Sequence, residues 1–303
     1  MLRLDLSTPF GIPNEGNTCY INSVLQCLLS NKDFVSLALE HHQVQQCSSS
    51  GIDDNLPFCA LCEIASMVLS GLTGEARGIM FKNQVNCLSN TLSAGRQEDA
   101  HELLLGILNN IDMARGTEAI TSLFTGNITS EVECLNCGGV SGRLDNMVDL
   151  SLEIKEHVVA SLATFFKDEI LSGAHSYKCS RYRNGMPTKD ARAITIQQRI
   201  TNKSLQVCFD LFGVVCHKGN LATSGHYVAY VKRDGWFLVD DQNGRSFNDI
   251  DPYFWGSTHT TPFSPESLTR WDNPFTSSTL FFSHDGKNST QVRRKEYFNL
   301  YAR

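Results

Sequence analysis

The hydrophobic period of this 303-residue chain changes near Gly116, and that change limits the fold more than any other feature. Before it, apolar residues recur at helical spacing. Tyr20, Ile21, Val24, Leu25, Leu28 and Leu29 predict an amphipathic helix with Cys19 in its first turn, Ile64, Met67, Val68 and Leu72 mark another, and Ala100, Leu103, Leu104, Ile107, Leu108 and Ile111 form one stripe between Gln97 and Ile111. After it, Phe124 to Glu133 alternates polar and apolar, and Asn146 to Ile154 carries Met147, Val148, Leu150, Leu152 and Ile154. These two stretches read as strands joined by the turn Cys134-x-x-Cys137-Gly-Gly. Further strands follow from Val207, and Asp234-Gly235 folds Tyr227–Val231 back along Trp236–Val239 as a hairpin. Helices first and strands later predict an α+β fold, and with no fixed internal period a solenoid is excluded.

Composition narrows the function classes. Lys plus Arg number 26 against 32 Asp plus Glu, a formal charge of −6, so there is no general basic field for nucleic acid or anionic lipid. The apolar stretch from Leu205 to Cys216 is interrupted by Asp210 and falls well short of the ~20 residues a bilayer crossing needs. No membrane association and no sequence-specific nucleic-acid binding are expected. The opening Met-Leu-Arg-Leu-Asp-Leu lacks the pattern of a secretion signal, so an intracellular protein is expected. Eleven cysteines, an odd number, then point to thiolate chemistry or metal binding rather than disulfides. Cys59-x-x-Cys62 and Cys134-x-x-Cys137 have the spacing of metal knuckles.

A helix N-terminus presents unpaired N–H groups and partial positive charge, which favours a thiolate there and makes Cys19 a candidate nucleophile. The polar approach Asn14-Glu15-Gly16-Asn17-Thr18 can supply backbone and amide donors to an oxyanion. The candidate base is His226 in Ser224-Gly225-His226-Tyr227. If the hairpin sets Lys232 opposite Trp236, then His226 faces Gln242 and Asp240 lies one diagonal step from the imidazole. A register change of one residue puts Asp241 there instead, and the hairpin argument alone does not choose between the two.

The run Gly11-Ile12-Pro13-Asn14-Glu15-Gly16-Asn17-Thr18-Cys19-Tyr20-Ile21-Asn22-Ser23 resembles the cysteine box of the ubiquitin-specific proteases, a papain-like family of thiol proteases. Gly95-Arg96-Gln97-Glu98-Asp99-Ala100-His101-Glu102-Leu103 resembles the family's second signature. Ser224-Gly225-His226-Tyr227-Val228-Ala229-Tyr230 with Trp236-Phe237-Leu238-Val239-Asp240-Asp241 resembles its histidine box. The resemblance implies a single thumb–palm–fingers domain over residues 1–303, with a helical thumb at about 10–115, fingers at about 120–200 and a palm at about 205–285. It implies Cys19 as nucleophile, Asn14 as oxyanion donor, His226 as base, Asp240 as the carboxylate that orients it and Asp241 as an auxiliary polar residue. Asp99 and Glu102, three apart on one expected helix face, would meet the basic, glycine-terminated tail of ubiquitin, with Gln97 and Tyr227 as further substrate contacts. Within the family, Leu56–Glu63, Leu123–Gly126 and Val215–Leu221 are similar to the SAGA-type histone deubiquitinases.

His42, Cys47, Cys59 and Cys62 offer one nitrogen and three sulfurs, a set suited to tetrahedral zinc, with His41 as the alternative to His42. The SAGA-type resemblance implies a structural zinc in this region. At the fingertips the family holds zinc between two Cys-x-x-Cys knuckles; here Cys134 and Cys137 are followed by Cys179-Ser180-Arg181-Tyr182, where tyrosine replaces the fourth ligand. His175 or another residue completes the site, or the fingers fold without metal. Ile196 leads almost directly into Leu205–Phe209, which reads as a shortened palm, and Asn243 to Asp272 reads as a surface insertion. The expected function is a deubiquitinating thiol isopeptidase without a catalytic cofactor, acting on ubiquitin and ubiquitinated proteins, with SAGA-like adaptors as partners and a nuclear location, or alternatively a cytoplasmic one. The rival expectation is an inactive ubiquitin-binding scaffold.

Overall fold

The structure is a computed structural model that describes residues 7–43, 58–71, 79–115, 123–124, 126–135, 137–152, 163–172, 179, 190–197, 209–221, 224–246, 277–284 and 297–302. Its helical part comprises α1 (Cys19–Ser30), α2 (Lys32–Gln43), α3 (Ala60–Gly71), α4 (Ile79–Leu88) and α5 (Ala100–Arg115). The amphipathic helix expected from the apolar stripe is present, and all twelve of its residues are buried, its polar face included, so it is a central helix. The reason lies in its polar side chains. Asn22 and Gln26 donate to the carbonyls of Ile12 (3.1 Å) and Phe10 (2.6 Å), so the face that looked solvent-directed is covered by the chain that precedes the helix.

Asn31 links the first two helices. It ends α1, and its Oδ1 accepts from the N–H groups of Asp33 (3.0 Å) and Phe34 (3.1 Å), capping α2. Helix α2, which the periodicity analysis passes over, buries Phe34, Val35 and Ala38. Helix α5 begins at Ala100 rather than Gln97 because Asp99 is its N-cap, accepting from His101 N–H at 2.8 Å.

Eleven strands form two sheets among the described residues. The smaller has the order β2-β1-β5-β4, made of β1 (Gly126–Cys134), β2 (Val140–Met147), β4 (Glu169–Ser172) and β5 (Asp190–Gln197), all antiparallel. The larger has the order β3-β11-β10-β6-β7-β8-β9, made of β3 (Asp149–Leu152), β6 (Phe209–Leu221), β7 (Ser224–Lys232), β8 (Trp236–Asp240), β9 (Asn243–Ser246), β10 (Ser277–His284) and β11 (Tyr297–Ala302). Only β3 and β11 pair in parallel.

The expected strand over Asn146–Ile154 is in fact two. Residues up to Met147 continue β2, pairing with β1, whereas Leu150 and Leu152 alternate into the core from β3 in the other sheet. The exposed Val140 and Leu144 of β2 gave no alternation to read, because hairpin pairing rather than burial holds this strand. The seven-stranded sheet runs continuously from β3 to β9, with β10 paired directly to β6. Residues 198–208, where the palm reads as shortened, lie outside the described residues. Of the expected insertion, Asn243–Ser246 is the edge strand β9, and residues 247–272 lie outside the described part.

Helix α1 packs against β6 and β7 on one side and against α2, α3 and α5 on the other, so the core is shared by helices and sheet. Leu25 is fully buried at its centre. Leu25→Ala should therefore lower the unfolding free energy by about 3 kcal/mol, measured by chemical denaturation.

Candidate active site

Cys19 opens α1, with Thr18 as the N-cap residue. Thr18 does not cap with its own hydroxyl, which instead donates to Asn14 Oδ1 at 3.3 Å and accepts from Glu15 N–H at 2.9 Å. Asn14 Oδ1 also accepts from Gly16 N–H at 3.0 Å and Thr18 N–H at 3.3 Å. The approach to the helix is thus a tight turn wrapped around one amide oxygen, with the Asn14 nitrogen facing outward.

That nitrogen donates to Asp241 Oδ2 at 2.9 Å, while Asn22 Nδ2 donates to Asp241 Oδ1 at 2.8 Å. The Asp241 carbonyl accepts from Ile12 N–H at 3.1 Å. A single residue at the end of β8 therefore fastens the N-terminal approach to the sheet. The approach is close: a Cβ on Gly11 would stand 2.2 Å from the carbonyl oxygen of Gln242, so only glycine fits there.

The hairpin pairs Lys232 with Trp236, the register that puts Asp240 one diagonal step from His226. His226 Nε2 lies 2.7 Å from Asp240 Oδ1, and the Cys19 thiol stands close enough to the ring to interact with it electrostatically. With Asp240 holding Nε2, Nδ1 is the nitrogen left for sulfur. Asp241 faces Asn14 and Asn22 instead. The hydrogen bond to Asp240, and then the interaction with Cys19, push the His226 pKa from 6.5 up to about 10, against the opposing effect of burial. The same bond to His226 holds Asp240 below its usual carboxylate range. Folding stability from the raised histidine is complete below about 6.5 and is lost as pH rises through about 10; that from Asp240 is lost as pH falls through its depressed value.

Gln97 was expected to touch substrate. The structure makes it an internal bridge: it is buried, its Oε1 accepts from Gly225 N–H at 3.0 Å, and its Nε2 lies 3.9 Å from Cys19 Sγ. Tyr227, also expected to touch substrate, is 3% exposed with its ring 4.3 Å from that of His217 and 6.5 Å from that of Tyr20. It opens the run Tyr227–Val231 of β7, which is buried on both faces of the sheet. The spacing of Asp99 and Glu102 is that of an N-cap and the third helical residue, not of two residues on one helix face. Glu102 Oε1 accepts from Ser89 Oγ at 2.7 Å and Thr91 Oγ1 at 2.8 Å, which ties α5 to the loop after α4. The site residue missed in the sequence is Asn22, whose only signal was an amide one turn beyond Cys19 in an apolar run.

Two cysteine groups lie outside this centre. His41, Cys59 and Cys62 are all buried with their ligand atoms within 4.8 Å of one another, and His41 Nε2 is 3.4 Å from Cys59 Sγ. His42, the first choice from sequence, is therefore replaced by His41: successive residues of α2 are turned about 100° apart, and it is the face of His41 that meets the start of α3. Cys47 lies outside the described residues. Cys134, Cys137 and Cys179 form the second group, with Cys137 and Cys179 sulfurs 3.7 Å apart, while Tyr182 and His175 are outside the described residues. Two sulfurs with an imidazole, and three sulfurs, are donor sets that fit a tetrahedral metal lacking one ligand. No disulfide joins any of the nine described cysteines.

Ubiquitin carboxyl-terminal hydrolase 25 of Arabidopsis thaliana is 28% identical over 289 residues, covering 77% of this chain and 44% of that protein. Ubiquitin carboxyl-terminal hydrolase 42 of Homo sapiens is 28% identical over 283 residues, covering 76% of this chain and 21% of that protein. The chain thus spans less than half the length of these two relatives. In fold it is similar to the SAGA DUB module of Ubp8, Sgf11, Sus1 and Sgf73 bound to monoubiquitin, with TM-score 0.71 and 21% identity, covering 92% of this chain and 70% of that one. The same module bound to ubiquitin aldehyde gives TM-score 0.72 and 20% identity, covering 94% and 72%. At that identity the likeness is one of fold. A family model described as ubiquitin carboxyl-terminal hydrolase matches residues 10–255. Because that match takes in most of the chain, with the Cys19 segment at one end and the His226 hairpin near the other, the chain belongs to the ubiquitin carboxyl-terminal hydrolase family.

Proposed function

We propose that this chain is a deubiquitinating thiol isopeptidase that cleaves the bond between the C-terminal glycine of ubiquitin and a substrate lysine. The observation that carries this reading is the pairing of Cys19, at a helix start, with a His226 whose other nitrogen is held by Asp240. The high proton affinity of His226 favours a thiolate–imidazolium pair. The Cys19 thiolate attacks the glycine carbonyl and forms a bond from sulfur to carbon, and the negative charge moves onto oxygen. Asn14 Nδ2 carries two hydrogens, one engaged by Asp241, so the other is available to that oxyanion together with backbone N–H groups at the start of α1. As the carbon–nitrogen bond breaks, His226 gives its proton to the lysine amine. His226 then takes a proton from water, hydroxide displaces sulfur, and the free carboxylate of ubiquitin and the Cys19 thiolate are regenerated.

Glu102, whose two hydroxyl partners both take Oε1, offers Oε2 to the basic tail of ubiquitin, with Asp99 beside it at the start of α5. The structures of similar fold are bound to ubiquitin and assembled with Sgf11, Sus1 and Sgf73, which supports ubiquitin as the ligand, SAGA-like adaptors as partners and a nuclear location. Among the described residues no helix is long and apolar enough to cross a membrane. Zinc is the metal that suits both cysteine groups; it would be held by His41, Cys59 and Cys62, with Cys47 as a further ligand, and by Cys134, Cys137 and Cys179. Its contribution would be a cross-link between α2 and α3 and another at the tip of the smaller sheet.

Turnover of ubiquitin carrying a C-terminal fluorogenic amide tests the reading. Cys19→Ser should reduce kcat by at least ~10³-fold with an unchanged melting temperature, and retained hydrolysis would sink the assignment. Asp240→Asn should move the alkaline limb of the pH–rate profile to lower pH, since it removes the first cause of the raised His226 pKa. Asp241→Ala should lower kcat and leave that limb in place, because its carboxylate bonds Asn14 and Asn22. Elemental analysis of purified protein should show His41→Ala losing zinc that His42→Ala retains, and equal zinc in both variants would contradict the ligand assignment.

A further inference from the structure

The turn before α1 is built on a backbone of low intrinsic rigidity. Gly16 has φ +86° and Asn17 φ +56°. A peptide unit flanked by a glycine in the left-handed region can rotate between turn forms with little steric opposition, so such a turn keeps one form only if both ends of the unit are held. Here they are. The N–H of the Glu15–Gly16 peptide donates to Asn14 Oδ1 at 3.0 Å, and its carbonyl accepts from Lys82 Nζ. Lys82 belongs to the first turn of α4. Its Nζ also lies 3.9 Å from where a Cβ on Gly16 would stand, so the ammonium sits directly against the turn.

We propose that Lys82 is a positioning residue for the oxyanion donor, an inference that rests on the thiol-isopeptidase reading. The ammonium fixes the Glu15 carbonyl through a charge-assisted bond, which keeps Gly16 N–H on Asn14 Oδ1. The Asn14 amide is then locked from both sides, by Gly16 and Thr18 on its oxygen and by Asp241 on its nitrogen. Without Lys82 the Glu15–Gly16 unit can flip, Asn14 loses an anchor, and its second Nδ2 hydrogen no longer waits where charge develops. Lys82 itself touches neither substrate nor the reacting atoms; it acts through Asn14.

Steady-state hydrolysis of the same fluorogenic ubiquitin, together with hydrogen exchange over residues 14–19, tests this. Lys82→Met, which keeps the stem and removes the donor, should lower kcat about tenfold with KM unchanged and faster exchange in the turn. Lys82→Arg should recover most of the rate, and Lys82→Gln, shorter and neutral, should behave as Lys82→Met does. In an Asn14→Ala background Lys82→Met should cost nothing further. Unchanged kcat and exchange in Lys82→Met would overturn the inference, as would losses that multiply with Asn14→Ala, or a rate loss matched by a fall in melting temperature and not rescued by arginine. A wild type that fails to hydrolyse the substrate overturns the isopeptidase reading and this role with it, whereas wild-type hydrolysis indifferent to Lys82→Met overturns the Lys82 role alone.

Discussion

The carboxylate of Asp241 joins the two halves of the molecule at the point where they must meet. Its two oxygens bind Asn14 and Asn22 from the helical half, 227 and 219 residues away in sequence, and its carbonyl binds the Ile12 N–H. Cys19 belongs to one half and His226 to the other, so their juxtaposition depends on this fastening. The backbone at Asp241 has φ +52°, a conformation that aspartate tolerates better than most residues. That turn lets neighbouring carboxylates serve opposite purposes, Asp240 toward the imidazole and Asp241 toward the amides.

The burial of α1 follows from the same arrangement. A helix with Asn22, Ser23, Gln26 and Ser30 among its residues is costly to bury unless those side chains find partners, and here each makes at least one hydrogen bond although Asn22 Oδ1 and Gln26 Oε1 accept none. Ser23 and Ser30 bond back to the carbonyls of Tyr20 (3.1 Å) and Cys27 (2.7 Å), and Asn22 and Gln26 bind the segment before the helix. The nucleophile's helix is therefore held rigidly along its length, with the approach turn braced by side chains from elsewhere. The His226–Asp240 pair differs, with side chains 40% and 42% exposed, so its shifted proton affinities come from close hydrogen bonding rather than from a dry interior.

Much of this was legible in the sequence because it is local. The start of α1 at Cys19, the stripe of α5 and the Asp-Gly hairpin are written in periodicity and turn residues, while the hairpin alone left Asp240 and Asp241 both open as partners of His226 until the register was seen. What was not legible depends on partners distant in sequence. A capping aspartate three residues before a glutamate looks like a pair on a helix face, as Asp99 and Glu102 did, until the first helical N–H is placed. His41 and His42 are equivalent as letters, and only the packing of α2 on α3 separates them. Gln97 and Asn22 act through groups 128 and 219 residues away, which no local pattern reports. Strand β2, held by hairpin pairing with exposed apolar side chains, leaves no alternation to find.

The central claim is that Cys19, aligned by His226 across the Asp241 fastening, is a nucleophile for the C-terminus of ubiquitin. Intact-mass analysis after incubation with ubiquitin bearing a thiol-reactive C-terminal warhead measures this most directly. The account predicts one ubiquitin-sized adduct on the wild-type chain, mapped to Cys19, and none on Cys19→Ala. Folded, monodisperse wild-type protein that gains no adduct, or an adduct that persists in Cys19→Ala, would contradict it.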